Sequence, residues 1–230
     1  MVEFLFLDLD DTILDFHKAE HLALGKTFRQ FGLEPTEAVM ARYSQINKAH
    51  WERLERKELT REEVLVGRFA VLFAEVGIEA DAEKCARAYE DNLSVGHYFL
   101  PGAQEALEAL SRKYKLYLAS NGTAKVQAGR LASANISHYF QEIFVSQEIG
   151  ANKPDLVYFQ RCFAKIPGFD PEKAMMVGDS LTSDILGGQQ AGMATCWVNP
   201  QGKSGRQDIR PDYEIQALHQ LEALLESIEK

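Results

Sequence analysis

From residue 101 onward, short apolar runs alternate with segments of helical periodicity, and this alternation constrains the fold more than any other feature of the sequence. Apolar runs of four or five residues suit fully buried strands, while apolar residues at spacings of three and four indicate amphipathic helices. Strands separated by helices in this way are typical of a parallel sheet covered by helices on both faces. The predicted strands span 115–119, 142–145, 174–177 and 194–198, and the predicted helices span 103–113, 125–134, 155–165, 183–191 and 217–228.

A further apolar run, at 3–7, is separated from these strands by a long block of helical periodicity in which nothing strand-like occurs. Glycine and proline divide the block into segments, as they do at helix ends. Thr60 and Glu63 have the spacing of a capping box, which predicts a helix that begins there. The helices predicted in this block span 16–31, 36–56, 60–76 and 81–93.

These two patterns together predict an α/β fold with an insertion. Residues 1–14 and 101–230 are expected to form a Rossmann-like parallel-sheet core, and residues 15–100 an inserted all-α cap domain. An insertion that follows the first strand directly lies over the carboxyl end of that strand. Ligands bind at this edge of open parallel sheets, so the cap is expected to cover a ligand site.

Composition excludes several classes of protein. A hydrophobic fraction of 46% with 26% charged residues is ordinary for a soluble globular protein, and the net charge of −9 argues against binding to nucleic-acid polymers or anionic membranes. The three cysteines, Cys85, Cys162 and Cys196, form no CxxC pair, which favours reduced core thiols over a disulfide framework or zinc site. The first apolar run is too short for a signal peptide or membrane span, so we predict a cytoplasmic protein. No sequence feature indicates an oligomeric state.

Three carboxylates, Asp8, Asp10 and Asp11, follow the first apolar run immediately. Aspartate after a strand is often only a solvated turn residue. Like charges this close together resist burial, however, and a buried site needs a cation, a proton or a hydrogen-bond network to compensate them. A divalent metal ion is the simplest compensation.

Other polar groups follow the later strands, and the ends of those strands are expected to converge with the first. Taken singly, Ser120 is typical of a helix N-cap, Lys153 of a solvated surface lysine and Asp179 of a strand-end turn. Independent surface residues do not collect at one edge of a sheet. Their convergence with the first carboxylate cluster therefore favours a site for phosphate chemistry.

The carboxylates suit Mg²⁺, which prefers oxygen ligands and usually takes one or two carboxylates. Asp8 and Asp179 are the predicted carboxylate ligands, and the backbone carbonyl of Asp10 is the third. Asp8 can then attack phosphorus and become an aspartyl-phosphate. The side chain of Asp10 is left to protonate the leaving alkoxide and to deprotonate the attacking water, a contribution of roughly 10²–10⁴-fold.

The remaining polar residues suit the phosphate group. Ser120 and the backbone N–H groups of Asn121 and Gly122 are predicted to bind phosphate oxygens. Lys153 is expected to neutralise the charge that develops on those oxygens and to hold Asp8 ionised. Asp184 is expected to orient the groups that touch the metal or the substrate.

Four stretches of the chain resemble, in order, the four motifs of the haloacid dehalogenase superfamily: DLDDT, SNG, NKPD and GDSLTSD. The resemblance is to the branch with a helical cap inserted after the first motif. It implies a Mg²⁺-dependent phosphohydrolase in which Asp8 is the nucleophile and Asp10 the acid and base. True dehalogenases of the superfamily lack the second aspartate of the first motif, so Asp10 argues for phosphoryl transfer.

Stretches in the cap and near the fourth motif are similar to the bacterial pyrimidine 5′-nucleotidase branch of this superfamily. They include 46–48 with Trp51, 67–69, and 183–188 with 194–197. The resemblance implies a small phosphorylated metabolite as substrate, namely a pyrimidine nucleoside monophosphate such as UMP, dUMP or dTMP.

Two cap residues, Asn47 and Trp51, are the predicted specificity residues, because a spacing of four places them on one helix face. Phe16, Tyr43, Arg68 and Phe69 are further residues that could contact a base, although helical aromatics usually pack in a core.

Three alternatives to this function are considered. A phosphatase for phosphoglycolate or a sugar phosphate would differ only in the cap. A phosphomutase also uses two aspartates and a cap but returns the phosphoryl group to an isomer of the substrate. A non-enzymatic regulator is expected to lack at least one of Asp8, Asp10, Lys153 and Asp179, and all four are present.

Overall fold

The computed structural model describes residues 1–228 and contains one six-stranded sheet in which every strand pairs with its neighbours in parallel. The strand order is β3-β2-β1-β4-β5-β6, which places the first strand in the interior of the sheet. The strands are β1 (Phe4–Leu7), β2 (Lys115–Ser120), β3 (Phe140–Val145), β4 (Ala174–Gly178), β5 (Ala194–Val198) and β6 (Tyr213–Ile215).

Ten α-helices accompany the sheet in the described part of the chain. The four between β1 and β2 that belong to the predicted cap are α1 (Phe16–Gln30), α2 (Glu37–Glu55), α3 (Arg61–Val76) and α4 (Ala82–Leu93). The others are α5 (Ala103–Ser111), α6 (Ala124–Ala134), α7 (Ser146–Ile149), α8 (Leu156–Phe163), α9 (Leu186–Gln190) and α10 (Leu221–Ile228). None of the helices within residues 1–228 combines the length and apolar content that a bilayer crossing requires.

The central strand β1 is buried on both faces, which explains its uninterrupted apolar sequence. Leu5 and Leu7 point to one side, into a cluster shared with α5, α6 and α10. Phe4 and Phe6 point to the other side, into a cluster shared with α8. Because successive side chains of a strand alternate between faces, four residues are enough to join both layers of the core.

The four cap helices share a hydrophobic cluster of their own, in which α1 packs on α4 and α2 on α3. Among the buried members of that cluster, only Val126 of α6 lies outside residues 15–100. The α/β fold class predicted from the sequence is confirmed. The domain boundaries, with a cap at 15–100 and a core at 1–14 and 101–230, stay a prediction.

Three details differ from the sequence prediction. The predicted loop after β5 is followed by a sixth strand, β6, whose three residues are too few to show a periodicity. The short helix α7 was not predicted for the same reason. The helix predicted at 183–191 consists of a π-helical turn, Leu181–Ile185, followed by α9. Ser180 Oγ accepts a hydrogen bond of 3.2 Å from Ser183 N at the start of this turn.

The capping box at the start of α3 gives a prediction for stability. Thr60 N donates to Glu63 Oε2 at 2.7 Å, and Glu63 N donates to Thr60 Oγ1 at 3.3 Å. We expect Thr60→Ala to lower the free energy of unfolding by about 1 kcal/mol, measured by urea denaturation. Thr36→Ala is the matched control, since Thr36 Oγ1 caps α2 through one bond of 3.4 Å without a reciprocal partner. An equal loss in the two variants would contradict the prediction.

Candidate active site

The carboxyl ends of three neighbouring strands meet at one edge of the sheet. Leu7 of β1 pairs with Leu118 of β2 and with Val177 of β4, so the residues that follow these three positions lie side by side. A cavity of about 230 Å³ opens there between the sheet edge and the cap helices. Its lining includes every core residue assigned to the site from the sequence, namely Asp8, Asp10, Ser120, Asn121, Lys153, Asp179 and Asp184.

The ammonium group of Lys153 lies at the centre of this site and is buried, with a side-chain exposure of 1%. Its Nζ donates to Asp8 Oδ1 at 2.7 Å, to Asp184 Oδ1 at 2.6 Å and to the carbonyl oxygen of Ala119 at 2.6 Å. These three acceptors use all three of its N–H donors. Two carboxylates therefore fix the position of Lys153, of which the contact with Asp8 was expected from the sequence and the contact with Asp184 was not.

The side chain of Asn121 holds the backbone of Lys153 in place. Asn121 Oδ1 accepts from Lys153 N at 2.9 Å, and Asn121 Nδ2 donates to Lys153 O at 2.9 Å. The second and third sequence motifs are thus joined by a pair of hydrogen bonds. These two bonds commit the amide oxygen and one amide N–H of Asn121 to Lys153, and the predicted contact of its backbone N–H with phosphate does not compete with them.

Asp8, Asp179 and Asp184 form an acidic cluster in which one carboxylate oxygen of each lies within 4.8 Å of the others. Burial raises the pKa of Asp8 to about 7, although the contact with Lys153 opposes this change. Burial, together with the charges of Asp184 and Asp8, raises the pKa of Asp179 well above its ordinary value. One lysine does not compensate three carboxylates, and a set of oxygen donors short of positive charge suits a divalent cation.

Gly178 allows the close approach of Asp184 to the strand end. A Cβ atom at position 178 would lie 2.2 Å from Asp184 Oδ2, which is shorter than any real contact of this kind. With glycine there, Asp184 Oδ2 accepts from Ser180 N at 3.0 Å while its other oxygen contacts Lys153. Asp184 therefore orients the lysine, and its carboxylate also belongs to the acidic cluster.

Asp10 is held by two residues of α6 that the sequence analysis missed. Its carboxylate forms an ion pair with Arg130 and accepts from Gln127 Nε2 at 2.8 Å. Arg130 is fully buried, and its Nε donates to the carbonyl oxygen of Gly96 at 3.0 Å, in the segment between α4 and α5. The signal available was their spacing of three, which puts two polar side chains on one face of α6.

The third carboxylate of the first motif, Asp11, supports local structure. Asp11 Oδ1 accepts from the backbone N–H of Phe16 at 2.9 Å, at the beginning of α1, and Oδ2 lies 3.4 Å from His17 Nε2. Asp11 also has a φ of 56°, in the left-handed region that aspartate tolerates better than most residues. The run of three acids thus divides into residues of the cavity floor and a residue that begins the cap.

Ser120 does not cap a helix. Thr123 occupies the N-cap position of α6, while Ser120 Oγ accepts from Gly122 N at 3.1 Å and from Gln127 Nε2 at 2.8 Å. Both lone pairs of the hydroxyl oxygen are therefore used, and its O–H makes no donated bond among residues 1–228. This leaves one donor that can serve a phosphate oxygen.

The two cap residues predicted to contact the substrate differ in position. Trp51 lines the cavity, whereas Asn47 lies behind the wall and is not part of the lining. Asn47 is buried, accepts from Arg68 Nη1 at 2.8 Å and donates to Glu20 Oε1 at 2.7 Å. Asn47 can therefore affect the cavity only through Arg68, which does line it.

The turn between α2 and α3 contacts loops that follow β3 and β4. Glu55, at the end of α2, accepts from Thr182 Oγ1 at 2.9 Å, and burial raises its pKa to about 7. Lys57 Nζ lies 2.6 Å from Asp155 Oδ2, in the third motif. These contacts connect the cap to the third and fourth motifs, and neither was predicted.

Arg61, the first residue of α3, extends this contact to the second motif. Its Nη1 donates to the carbonyl oxygens of Asn121 at 2.9 Å and Gly122 at 3.1 Å, and its Nη2 donates to Ser146 Oγ and Asn152 Oδ1, both at 2.6 Å. Its guanidinium carbon also lies 5.6 Å from the centre of the Trp51 ring. A single cap residue thus joins the loop after β2, the segment after β3 and the cavity tryptophan.

A family model described as "Haloacid dehalogenase-like hydrolase" matches residues 5–198. The chain belongs to this family. The resemblance noted from the four motifs is confirmed, and the chain is accordingly a hydrolase with the haloacid dehalogenase fold. The match begins in β1, ends in β5 and so includes both the cap helices and all four motifs.

Three relatives of this haloacid dehalogenase-like hydrolase are similar over nearly their whole length. YfnB of Bacillus subtilis, designated a HAD-hydrolase, is 40% identical over 96% of this chain and 94% of its own. Its crystal structure, bound to magnesium and described as revealing interdomain movement, has a TM-score of 0.93 over 97% of this chain and 98% of that one. The pyrimidine 5′-nucleotidase PynA of Streptococcus pneumoniae is 38% identical over 95% of this chain and 93% of its own. The pyrimidine 5′-nucleotidase YjjG of Escherichia coli is 29% identical over 97% of this chain and 97% of its own.

The raised pKa values of the acidic cluster predict how stability depends on pH without metal. Asp8 has a folded-state pKa of about 7 against an ordinary value of 3.8, so the folded protein binds this proton more tightly than the unfolded chain. The resulting stability is present at low pH and is lost as the pH rises through about 7. We therefore expect protein in EDTA to melt at a lower temperature at about pH 8 than at about pH 5.5, and added Mg²⁺ to raise the melting temperature more at the higher pH.

Calorimetry of the Asp179→Asn variant under the same conditions separates this effect from the titration of other groups. The variant removes one buried carboxylate of the cluster, so its melting temperature in EDTA should depend less on pH than that of the unchanged protein. If the melting temperatures of the two proteins depended equally on pH, the raised pKa values would not be the cause of the pH dependence.

Proposed function

We propose that this hydrolase is a Mg²⁺-dependent phosphomonoesterase that acts on pyrimidine nucleoside monophosphates such as UMP, dUMP and dTMP. The observation that carries the proposal is the position of Lys153, which joins Asp8 to Asp184 beside Asp179 in a cavity shared with the cap. The activity of PynA and YjjG, both pyrimidine 5′-nucleotidases, supports the choice of substrate.

Asp8 acts as the nucleophile in this proposal. The ammonium group of Lys153, 2.7 Å from Asp8 Oδ1, favours the ionised form that attack requires. An oxygen of Asp8 forms a bond to phosphorus while the bond from phosphorus to the nucleoside oxygen breaks. Asp10 gives its proton to the departing oxygen and then takes a proton from water. That water attacks the aspartyl-phosphate, which releases inorganic phosphate and restores both carboxyl groups.

The chain has oxygen donors in place for the metal ion that this reaction uses. Asp8 and Asp179 would supply carboxylate oxygens and Asp10 its backbone carbonyl, and the magnesium bound to YfnB supports this assignment. When bound, Mg²⁺ offsets the negative charge of the carboxylates and of the phosphate, so that the two can approach each other.

Ser120, Lys153 and the backbone of Asn121 are the groups proposed to face the phosphate oxygens. The hydroxyl of Ser120 accepts two hydrogen bonds and has its own proton left to donate. Lys153 lies beneath the same position, where its charge offsets the charge that develops on the phosphoryl oxygens in the transition state. The backbone N–H of Asn121 is a further predicted phosphate contact, whereas that of Gly122, also predicted from the sequence, donates to Ser120 Oγ at 3.1 Å.

The cap side of the cavity suits a flat, largely apolar group with a few polar atoms. Phe16, Leu65, Leu93 and Val126 supply apolar walls, and Trp51 supplies an aromatic face fixed by its contact with Arg61. A pyrimidine ring fits this combination because stacking needs a rigid aromatic surface. Phosphoglycolate, a small polar molecule, would leave these apolar walls without a contact.

A panel of phosphate esters tests the choice of substrate. With Mg²⁺ present, we expect kcat/KM for UMP, dUMP and dTMP to exceed the values for AMP, phosphoglycolate and glucose 6-phosphate by about tenfold or more. Phosphate release is the measurement. A preference for phosphoglycolate or a sugar phosphate would favour the small-metabolite alternative. An isomeric phosphate ester formed without inorganic phosphate would indicate a phosphomutase.

A substitution at the proposed nucleophile tests the mechanism. Asp8→Asn should abolish turnover of every substrate in the panel, because an amide cannot form the aspartyl-phosphate. The control is Asp91→Asn, which alters an exposed carboxylate of α4 that pairs with Lys125 on the surface. Circular dichroism checks that both variants are folded. Activity of Asp8→Asn near that of the control would refute the assignment.

A further inference from the structure

Arg68 is a buried cation without an acidic partner. Its side chain is on α3, the residue is 3% exposed, and none of its nitrogens lies within 4.0 Å of a carboxylate oxygen in residues 1–228. An unpaired charge in a protein interior is costly, and native proteins normally pair it or place it where a ligand will.

Neutral groups hold the guanidinium group in place. Arg68 Nε donates to the carbonyl oxygen of Leu65 at 3.2 Å, and Nη1 donates to Asn47 Oδ1 at 2.8 Å. The guanidinium carbon lies 5.0 Å from the centre of the Tyr89 ring, 5.6 Å from that of Phe69 and 5.9 Å from that of Tyr43. These rings fix the plane of the group and favour its charge, but they accept no conventional hydrogen bond from it.

A buried acid, Glu20, is joined to Arg68 only through another residue. Glu20 is buried, accepts from Asn47 Nδ2 at 2.7 Å and also accepts from Ser44 Oγ. The amide of Asn47 stands between Glu20 and Arg68, so that the carboxylate orients the guanidinium without forming an ion pair with it. A direct carboxylate contact would use the paired donors that make arginine suited to recognition.

The Nη2 group remains free to bind a ligand. It makes no hydrogen bond within residues 1–228, and Arg68 forms part of the wall of the cavity whose floor holds Asp8 and Lys153. A substrate with phosphate at the floor would present its leaving group to the cap wall. Trp51 and Leu65 lie in that wall together with Arg68.

We propose that Arg68 determines specificity by donating a hydrogen bond from Nη2 to a carbonyl oxygen of the pyrimidine base, and that Asn47 is the positioning residue for this contact. The inference rests on the proposed nucleotidase function and adds to it the residue that distinguishes a pyrimidine base from adenine. Uracil, thymine and cytosine each carry a ring carbonyl, whereas adenine has none. A buried donor left without an acceptor would disfavour AMP by more than the loss of one contact.

Steady-state kinetics of two variants and one control test the inference. We expect Arg68→Met to lower kcat/KM for UMP by roughly 10- to 100-fold, the loss typical of a hydrogen bond to a charged group, and to lower the value for AMP much less. The ratio of UMP to AMP activity should therefore fall towards one. The control is Arg42→Met, since Arg42 is an exposed arginine of α2 paired with Glu75, and its ratio should match that of the unchanged protein.

Asn47→Ala tests the positioning role separately. Asn47 touches no part of the cavity, so its removal should raise KM for UMP with little change in kcat, and should leave the KM for p-nitrophenyl phosphate, which lacks a base, much less affected. A merely structural role would lower activity on both substrates alike. Equal losses on the two substrates would overturn the role given to Asn47.

A modified substrate keeps the inference testable if Arg68→Met does not fold. The unchanged enzyme should hydrolyse a nucleotide with benzene in place of uracil roughly 10- to 100-fold less efficiently than UMP. Equal efficiency would overturn the contact with Arg68. The contact would also be overturned if the unchanged enzyme prefers UMP to AMP and the Arg68→Met variant keeps that preference. The proposed nucleotidase function would still stand in that case. An unchanged enzyme with no preference for pyrimidine nucleotides would instead overturn the proposed function, and this inference with it.

Discussion

The buried contact between Lys153 and two aspartates is the interaction on which the rest of the site depends. Burial lowers the pKa of Lys153, but Asp184 and Asp8 outweigh it and raise that pKa above its ordinary value. The acids need the lysine equally, because buried carboxylates without a cation would take up protons. The sheet order satisfies this need by placing β1 between β2 and β4, so that residues far apart in sequence meet at one edge.

At the same edge of the sheet, the cap contacts the core through one side chain that accepts hydrogen bonds and one that donates them. Glu55 brings a carboxylate to the hydroxyl of Thr182, and Arg61 brings donors to backbone carbonyls of the loop after β2. Each contact satisfies a polar group at the edge of the cavity that contains Asp8 and Lys153. These contacts join the cap to the segments that follow β2 and β4 at this edge of the sheet.

The core of the site could be predicted from the sequence because parallel strands end at a common edge, whereas its cap wall could not. A spacing of four places Asn47 and Trp51 on one face of α2, but it also separates them by about 6 Å along the axis. Of these two residues, only Trp51 reaches the cavity, because it is closer than Asn47 to the end of α2 that contacts the core. The partners of Asp10 on α6 were missed because periodicity identifies a helix face without telling which residue of another strand or loop it meets.

The three buried cations of the site differ in how much of their hydrogen-bonding capacity the protein uses. Lys153 has three donors and three protein acceptors, so its charge is committed to the scaffold of the site. Arg130 is paired with the carboxylate of Asp10 and with the backbone of Gly96. Arg68 alone of the three is held by neutral groups, and Asn47 stands between it and the carboxylate of Glu20. A protein gains nothing in stability by separating a buried ion pair with an amide, since a direct pair would offset more of the cost of burial. The separation is explained if the charge of Arg68 is kept available for the substrate.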